Sequence, residues 1–355
     1  MTRVGLIGLG TMGRNHMRVL SDLEGVTLAA ICDQDGKALE AASRTHSARA
    51  YTSMHEMLQR EKLDAAVVAV PTRFHVSAGL AAFEHGLHVL VEKPIAATLE
   101  EGRQLVAAAR HARRLLAVGH VERFNPAVRE LQRRLDEGEV GRIFQVQAER
   151  RGPFAARIRD VGVAIDLATH DLDVMNHLAD SDVQRLYAET EQRIHTQHED
   201  ILNALLRFES GLLGVLQVNW LTPTKIRQLS VLGERGMFLC NYMTQDLVFY
   251  ENAEVAGAAE PPYPVRAVTE GAAVSLPIHK GEPLRLELES FVAAVRGEGP
   301  VEVDGEAGLV ALHLALAVVY SSAEARVIDK AELARLWKAG SLDISGGEGD
   351  AATPG

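Results

Sequence analysis

The 355-residue chain has two cysteines, Cys32 and Cys240, far apart and in neither a CxxC nor a metal-ligand spacing. A disulfide framework and a thiolate metal site are thereby excluded, and both thiols read as reduced and mostly buried. Positive charge is also scarce: 37 Lys and Arg against 48 Asp and Glu leave a formal net charge of -11. Nucleic acid and anionic membranes both require clustered positive charge, so neither is an expected partner. No apolar run reaches the roughly 18 residues that cross a bilayer, and the N-terminus enters a strand pattern without a basic lead or cleavage site. The expectation is a cytoplasmic protein whose partners are small molecules. A hydrophobic content of 47% and a charged content of 24% are ordinary for a globular protein, and 355 residues suffice for two cores.

Against these absences stands one ordered pattern: the apolar run Val4 to Ile7, then GLGTMG from Gly8 to Gly13, then Asp33. Gly8 allows a tight turn, Gly10 lets backbone approach a pyrophosphate, and Gly13 lets a helix pack closely on the strand. The phosphates then meet a helix N-terminus at Thr11 and Met12, where unpaired N–H groups and the helix dipole stabilise negative charge. Asp33 follows Gly13 by 20 residues and closes the second strand, where a carboxylate accepts both ribose hydroxyls. This favours NAD over NADP, since a 2′-phosphate would meet Asp33 with no adjacent arginine to offset it.

Short apolar runs recur near Val4–Gly8, Val26–Cys32, Ala65–Val70, His88–Val91 and Leu115–Gly119, with helical patterns between them. Strands lacking polar alternation are covered on both faces, so residues 1–120 read as an α/β, doubly wound Rossmann domain. A helical stretch from Pro126 to Gly138 follows, and then a series of longer strand-like segments joined by turn signals. Residues 121–330 are therefore expected to form an α+β domain with a large, mostly antiparallel open sheet. Helices at about Val163–Ala179, PLRLELESFVAAVRG and EAGLVALHLALAVVYSSAEA would cover one face. ILNALLRFE and LLGVLQVNW carry apolar residues at both parities, so a second subunit's sheet is expected on the other face. Residues 331–355 read as a C-terminal helix remnant and a disordered tail.

Three constellations carry chemistry. Glu92-Lys93-Pro94 ends what counts as the fourth strand, the sheet edge where ligands sit, and X–Pro is the peptide that readily goes cis. Lys93 there can stabilise developing alkoxide character. Pro71, Thr72 and His75 follow the preceding strand and, with Glu92, are expected to line the cofactor. In AIDLATHDLDVMNHL, Asp166 and His170 are four residues apart; on an α-helix they share a face, so the carboxylate would orient an imidazole suited to general-base work. Asp173 and His177 share that face too, which makes a divalent metal a competing idea, but no further ligand is suggested by spacing. The third group, Arg123, Arg150, Arg151, Arg157 and Arg159, flanks the domain junction, and guanidinium forks suit phosphate oxygens. A solvated basic loop is the plainer alternative for these arginines. His195 and His198 read as polar strand positions.

GLGTMG, VPTRFH, VEKP and the Asp-x-x-x-His segment, in this order from Val4 to about Ile328, resemble the Gfo/Idh/MocA oxidoreductase family. The resemblance implies NAD(P)-linked oxidation of a sugar or cyclitol hydroxyl, with Lys93, Asp166 and His170 at the positions of the catalytic lysine, aspartate and histidine. It also implies a homodimer or homotetramer joined through the second-domain sheet. GHVERFNP and GPFAARIRDVGVAIDLATHDLD are most similar to the branch that oxidises the 3-hydroxyl of UDP-N-acetylglucosamine to a 3-keto sugar. On that resemblance Arg123, Arg151 and Arg157 join Lys93, Asp166 and His170 around a nucleotide-sugar substrate, with Arg123 also near the cofactor. DVGV stands where many relatives have a glycine-rich turn. Two rival readings are an inositol or simple-sugar dehydrogenase and a non-catalytic NAD-binding sensor.

Overall fold

Strands covered on both faces must alternate their side chains between two cores, and β4 (Ala65–Val68) does so with all four residues buried. Ala66 and Val68 join Ala78, Phe83 and Leu105 on one side of the sheet; Ala65 and Val67 join Val19, Leu20 and Leu288 on the other. The computed structural model describes residues 1–154, 161–195, 197–253 and 269–340. Around β4 lie β1 (Thr2–Ile7), β2 (Val26–Cys32), β3 (Arg49–Tyr51), β5 (His88–Glu92) and β6 (Leu116–Gly119). The sheet is wholly parallel, in the order β3-β2-β1-β4-β5-β6. Its connections carry α1 (Thr11–Asp22), α2 (Gly36–Ser43), α3 (Met54–Arg60), α4 (His75–Glu84) and α5 (Leu99–Ala112). The chain direction across the sheet reverses between β1 and β4, which opens a crevice at the carboxyl ends of those strands.

The expected count of five strands misses β3, whose three residues include the exposed Arg49 and Ala50 and give no apolar run. Glu92-Lys93-Pro94 therefore ends the fifth strand, and Pro71 to His75 follow the fourth. The Lys93–Pro94 peptide is cis.

After α6 (Pro126–Asp136) comes a nine-stranded sheet made from β7 (Ile143–Pro153), β8 (Val183–Glu191), β9 (Ile201–Phe208), β10 (Leu213–Asn219), β11 (Leu221–Gly233), β12 (Gly236–Asn241), β13 (Asp246–Ala253), β14 (Thr269–Leu276) and β15 (Ile328–Asp329). Its order is β14-β13-β12-β11-β7-β10-β9-β8-β15, antiparallel except where β10 runs parallel to β7. Burial alternates cleanly: Leu202, Ala204, Leu206 and Phe208 of β9 face the core beneath α7 (Thr169–Ala179), while Leu205 on the opposite face is 51% exposed.

Two of the later helices depart from their expected places. α8 (Pro283–Val295) packs its Leu284, Leu288 and Phe291 into the core shared by α1 and the first sheet, although it lies within the stretch assigned to the second domain. α9 (Gly305–Ala323) is long and apolar enough to cross a membrane, contrary to the reading that no run is, but its surface is divided between the two sheets. Leu309, Leu312 and Leu316 enter the first core, and Leu314, Ala315 and Val318 enter the second. An apolar surface on every side of a helix is what a position between two cores requires.

α10 (Lys330–Ala339) starts at an Asp329 cap and buries Leu333 and Leu336. Residues 341–355, expected to form a tail, lie outside the described residues. Both cysteines are buried, which pushes the Cys32 thiol up to about 11 and the Cys240 thiol up to about 12.

Candidate active site

The glycine turn is built from steric necessity. Gly8 has φ +99°, and a Cβ there would lie 2.5 Å from the Ala69 carbonyl oxygen; at Gly13 a Cβ would lie 2.0 Å from the Gly8 oxygen. Gly10 differs, since its Cβ would meet nothing within 4 Å. That open space lies at the start of α1, whose N-terminus has no side-chain cap and no acidic residue in its first turn, with Thr11 and Met12 exposed. The first-turn N–H groups are thus left for an anion. Asp33 closes the cradle: its Oδ2 accepts from the Leu9 N–H at 2.6 Å and its Oδ1 from the Asp35 N–H at 2.8 Å, which fixes the carboxylate beside the turn. These residues fit a dinucleotide. Gly10→Ala should therefore fold with an unchanged melting temperature while the NAD Kd rises at least about tenfold, readable by calorimetry; an unaltered Kd would remove the pyrophosphate from this turn.

At the end of β5, Glu92 turns inward, contrary to its expected place on the cofactor. Its Oε1 lies 2.7 Å from His16 Nε2, and its Oε2 accepts from the Lys93 N–H at 3.2 Å. Burial pushes the Glu92 carboxyl up, but His16 and Lys93 outweigh it and hold the group below its ordinary value. His75 is buried as well, its Nδ1 2.9 Å from the Pro94 oxygen and its Nε2 2.9 Å from the Val70 oxygen. It ties the loop after β4 to the cis turn. Pro71 and Thr72 form the start of a 3₁₀ turn on the cleft side of that tie.

Lys93 reaches across to the second domain, where its Nζ donates to the Asp166 carbonyl at 2.5 Å and lies 3.7 Å from Asp166 Oδ1. Burial lowers the Lys93 pKa, against the raising effects of Asp166 and Glu92. Here the expected geometry needs correction: no side-chain hydrogen bond or ion pair joins Asp166 to His170 among the described residues. Residues Ala164–Ala168 form a π turn, in which the Thr169 N–H bonds back to the Ala164 oxygen. Asp166 serves Lys93 instead. His170 is left with a buried, unpartnered Nδ1, and its pKa is driven well below the ordinary histidine value by burial, then by the charges of Lys93 and Arg150. It is a neutral imidazole at pH 7, ready to accept a proton.

The arginines expected to meet phosphate are mostly spent within the protein. Arg123 forks onto Asp173 at 2.7 and 2.6 Å, which also removes Asp173 as a metal ligand. Arg150, 2% exposed, forks onto Asp171 at 2.6 and 3.1 Å and pairs with Glu122 at 3.0 Å. Arg151 pairs with Glu149. Arg157 and Arg159 lie outside the described residues. His195 is in a loop rather than a strand, since β8 ends at Glu191; its ring Nδ1 accepts from the Gln197 and His198 N–H groups.

Beside Lys93 and Asp166 opens a cleft of about 920 Å³ lined by Thr72, Arg73, Pro94, Gly162, Ile165 and His198, among others. Arg73 is exposed at that cleft, and neither it nor Arg227 was anticipated from the sequence. The signal for Arg227 is its parity with Leu229 and Val231 in IRQLSVLG, which places it on the buried face of the sheet.

A dinucleotide crevice bordered by an ammonium and a neutral imidazole defines a nicotinamide-dependent oxidoreductase. Residues 2–120 match the oxidoreductase family with an NAD-binding Rossmann fold, and residues 128–239 match the GFO/IDH/MocA C-terminal domain. The chain belongs to the Gfo/Idh/MocA oxidoreductase family: it is an NAD-binding dehydrogenase acting on CH–OH groups. It is 27% identical over 316 residues to UDP-N-acetylglucosamine 3-dehydrogenase of Acidithiobacillus ferrooxidans, covering 89% of this chain and 96% of that one. The solved structure of that protein superposes with a TM-score of 0.79 over 93% of this chain and 98% of that one. Inositol 2-dehydrogenase 2 of Saccharopolyspora erythraea is 31% identical over 217 residues, 59% of this chain and 64% of that one. The WlbA dehydrogenase from Bordetella pertussis, solved with NADH and UDP-GlcNAcA, is 27% identical with a TM-score of 0.76 over 92% of this chain and 98% of that one.

Proposed function

We propose that the protein oxidises the 3-hydroxyl of a UDP-N-acetylhexosamine to the 3-keto sugar. The observation that carries this reading is the Lys93 bridge to Asp166, which joins the cofactor edge of the first domain to the segment bearing His170. His170, held neutral, takes the hydroxyl proton. Lys93 donates a hydrogen bond to the same oxygen as negative charge develops there, and Asp166 aims the ammonium. Bound NAD supplies the hydride acceptor. Likeness to a UDP-N-acetylglucosamine 3-dehydrogenase over nearly the whole chain supports a nucleotide sugar over a free one.

The deciding experiment is a substrate panel followed through the absorbance of reduced nicotinamide: UDP-N-acetylglucosamine, free N-acetylglucosamine and myo-inositol. Turnover with the nucleotide sugar, and a kcat/KM at least about a hundredfold lower for the other two, is the expected result. Equal or better turnover of myo-inositol would replace this reading with the inositol-dehydrogenase one that the second relative favours. The same reading includes a dimer or tetramer through the outer face of the nine-stranded sheet, where Leu205, Leu232 and Tyr250 are exposed.

A further inference from the structure

β5 and β6 end side by side: Glu92 pairs in register with Gly119, so the next residues, Lys93 and His120, stand together at the carboxyl edge of the first sheet. The 3₁₀ turn Val121–Phe124 that follows packs against α7. His120 is 1% exposed, and among the described residues neither of its ring nitrogens has a hydrogen bond. A buried imidazole left wholly unbonded calls for a reason. Its Nδ1 lies 3.8 Å from Asp173 Oδ2, beyond a hydrogen bond but within reach of charge. Asp173 sits one turn after His170 on α7, and His177 one turn after Asp173, so the three share a face. His177 is exposed, and with Arg123 and Gln132 it lines a second pocket of about 370 Å³ whose walls share no residue with the substrate cleft.

Alcohol oxidation yields a proton as well as a hydride. A proton taken by His170 does not rest there, because burial and the charges of Lys93, Arg150 and Arg227 all lower its pKa. Arg227 lies opposite Arg150 across β11 and β7 and, among the described residues, has no ion pair of its own to offset it. His120 acts on His170 in the same sense, so a proton on one ring opposes a proton on the other. Burial lowers the His120 pKa as well; Asp173 and Glu92 oppose that, and Arg123 and Lys93 add to it. A neutral ring that takes charge only briefly suits a relay rather than a store. With sugar and cofactor filling the cleft and water excluded from it, the way along α7 leads toward the Asp173 carboxylate.

Resting on His170 as the proposed base, we infer that His120 relays the proton from His170 past Asp173 to the pocket between α6 and α7, an exit separate from the substrate cleft. The substrate C–H bond gives its hydride to the bound nicotinamide, and the O–H bond gives its proton to one nitrogen of His170. The buried Nδ1 of His170 then releases a proton to His120, which receives at one ring nitrogen and releases from the other to water in the pocket. Asp173 stays ionised in its fork with Arg123 and steadies the positive charge in passing. The face of His170, Asp173 and His177, whose spacing also suggested a metal, is thereby a proton path.

The test follows NADH formation by its absorbance and proton release by a pH-indicator dye in weak buffer. Both are read through the first turnover of whichever panel substrate the wild type oxidises. In the wild type the two signals should rise together. In His120→Gln, whose amide bonds but carries no proton, proton release should be slower than NADH formation by about tenfold or more, and kcat should fall with KM unchanged. In His120→Ala, added imidazole should close the lag. His120→Asn serves the same purpose should the glutamine variant fail to bind NAD. In the protein without substrate or cofactor, the His170 titration followed by NMR should move up in His120→Gln. A variant whose proton appears with its NADH, or a His170 titration indifferent to His120→Gln, overturns the relay. Undiminished NADH formation in His170→Asn would instead overturn the base on which the relay rests.

Discussion

Replacing His170 with Asn is expected to lower turnover by about 10²- to 10⁴-fold while leaving NAD binding nearly unchanged. Asparagine approximates the imidazole in size and polarity but cannot accept a proton at neutral pH. The pH dependence gives the role a sharper signature. His170 acts in its neutral form, and burial, Lys93 and Arg150 all hold its pKa well below the ordinary histidine value. The acid limb of kcat/KM should accordingly fall below the usual histidine range, with full activity retained at pH 6.5. On the alkaline side the active form requires the Lys93 ammonium, whose pKa burial lowers from 10.5, so activity should decline before that value is reached. Lys93→Met removes the largest charge acting on His170. In that variant the imidazole titration, followed by NMR, should move up toward its ordinary value; an imidazole that titrates unchanged in Lys93→Met, or an Asn variant that turns over normally, would take His170 out of the chemistry.

Most of the fold is visible in the chain because it depends on local pattern. Unbroken apolar strands, the glycine turn and Asp33 each announce their neighbours within a few residues, whereas β9 and β10 are apolar at both parities, and only their burial in the folded chain shows which face is covered. What was not legible is set at long range. Nothing in AIDLATHDLD signals the π turn at Ala164–Ala168, or that Asp166 meets Lys93 of the first domain instead of the His170 ring. The arginines misled for a related reason. A guanidinium's partner is chosen by tertiary contact, so Arg123 and Arg150 could be listed from composition but not distinguished from Arg227 until β7, β11 and α7 came together.

Arg150→Met should be the most destabilising single change at this site, costing about 3–5 kcal/mol and lowering the melting temperature by roughly 6–20 °C. The cause is not the loss of an attraction in isolation. Arg150 is 2% exposed and Asp171 fully buried, so the variant leaves a carboxylate without its counter-charge in a place water does not reach, and Glu122 loses the same partner. The pH dependence identifies the mechanism. Burial already raises the Asp171 pKa, with Arg150 as the main opposing influence. A carboxyl whose folded pKa lies above its unfolded one binds its proton more readily in the native state. The stability deficit of Arg150→Met should therefore shrink as the pH falls and widen as it rises through the folded-state pKa. Pairing it with Asp171→Leu removes the stranded charge, and the double variant should recover much of the lost stability, because an apolar pair of similar volume tolerates this position better than half an ion pair does. A melting temperature for Arg150→Met within about 2 °C of the wild type, or a deficit that is the same at pH 5 and pH 8, would mean that the pair holds the site in place without supporting the fold.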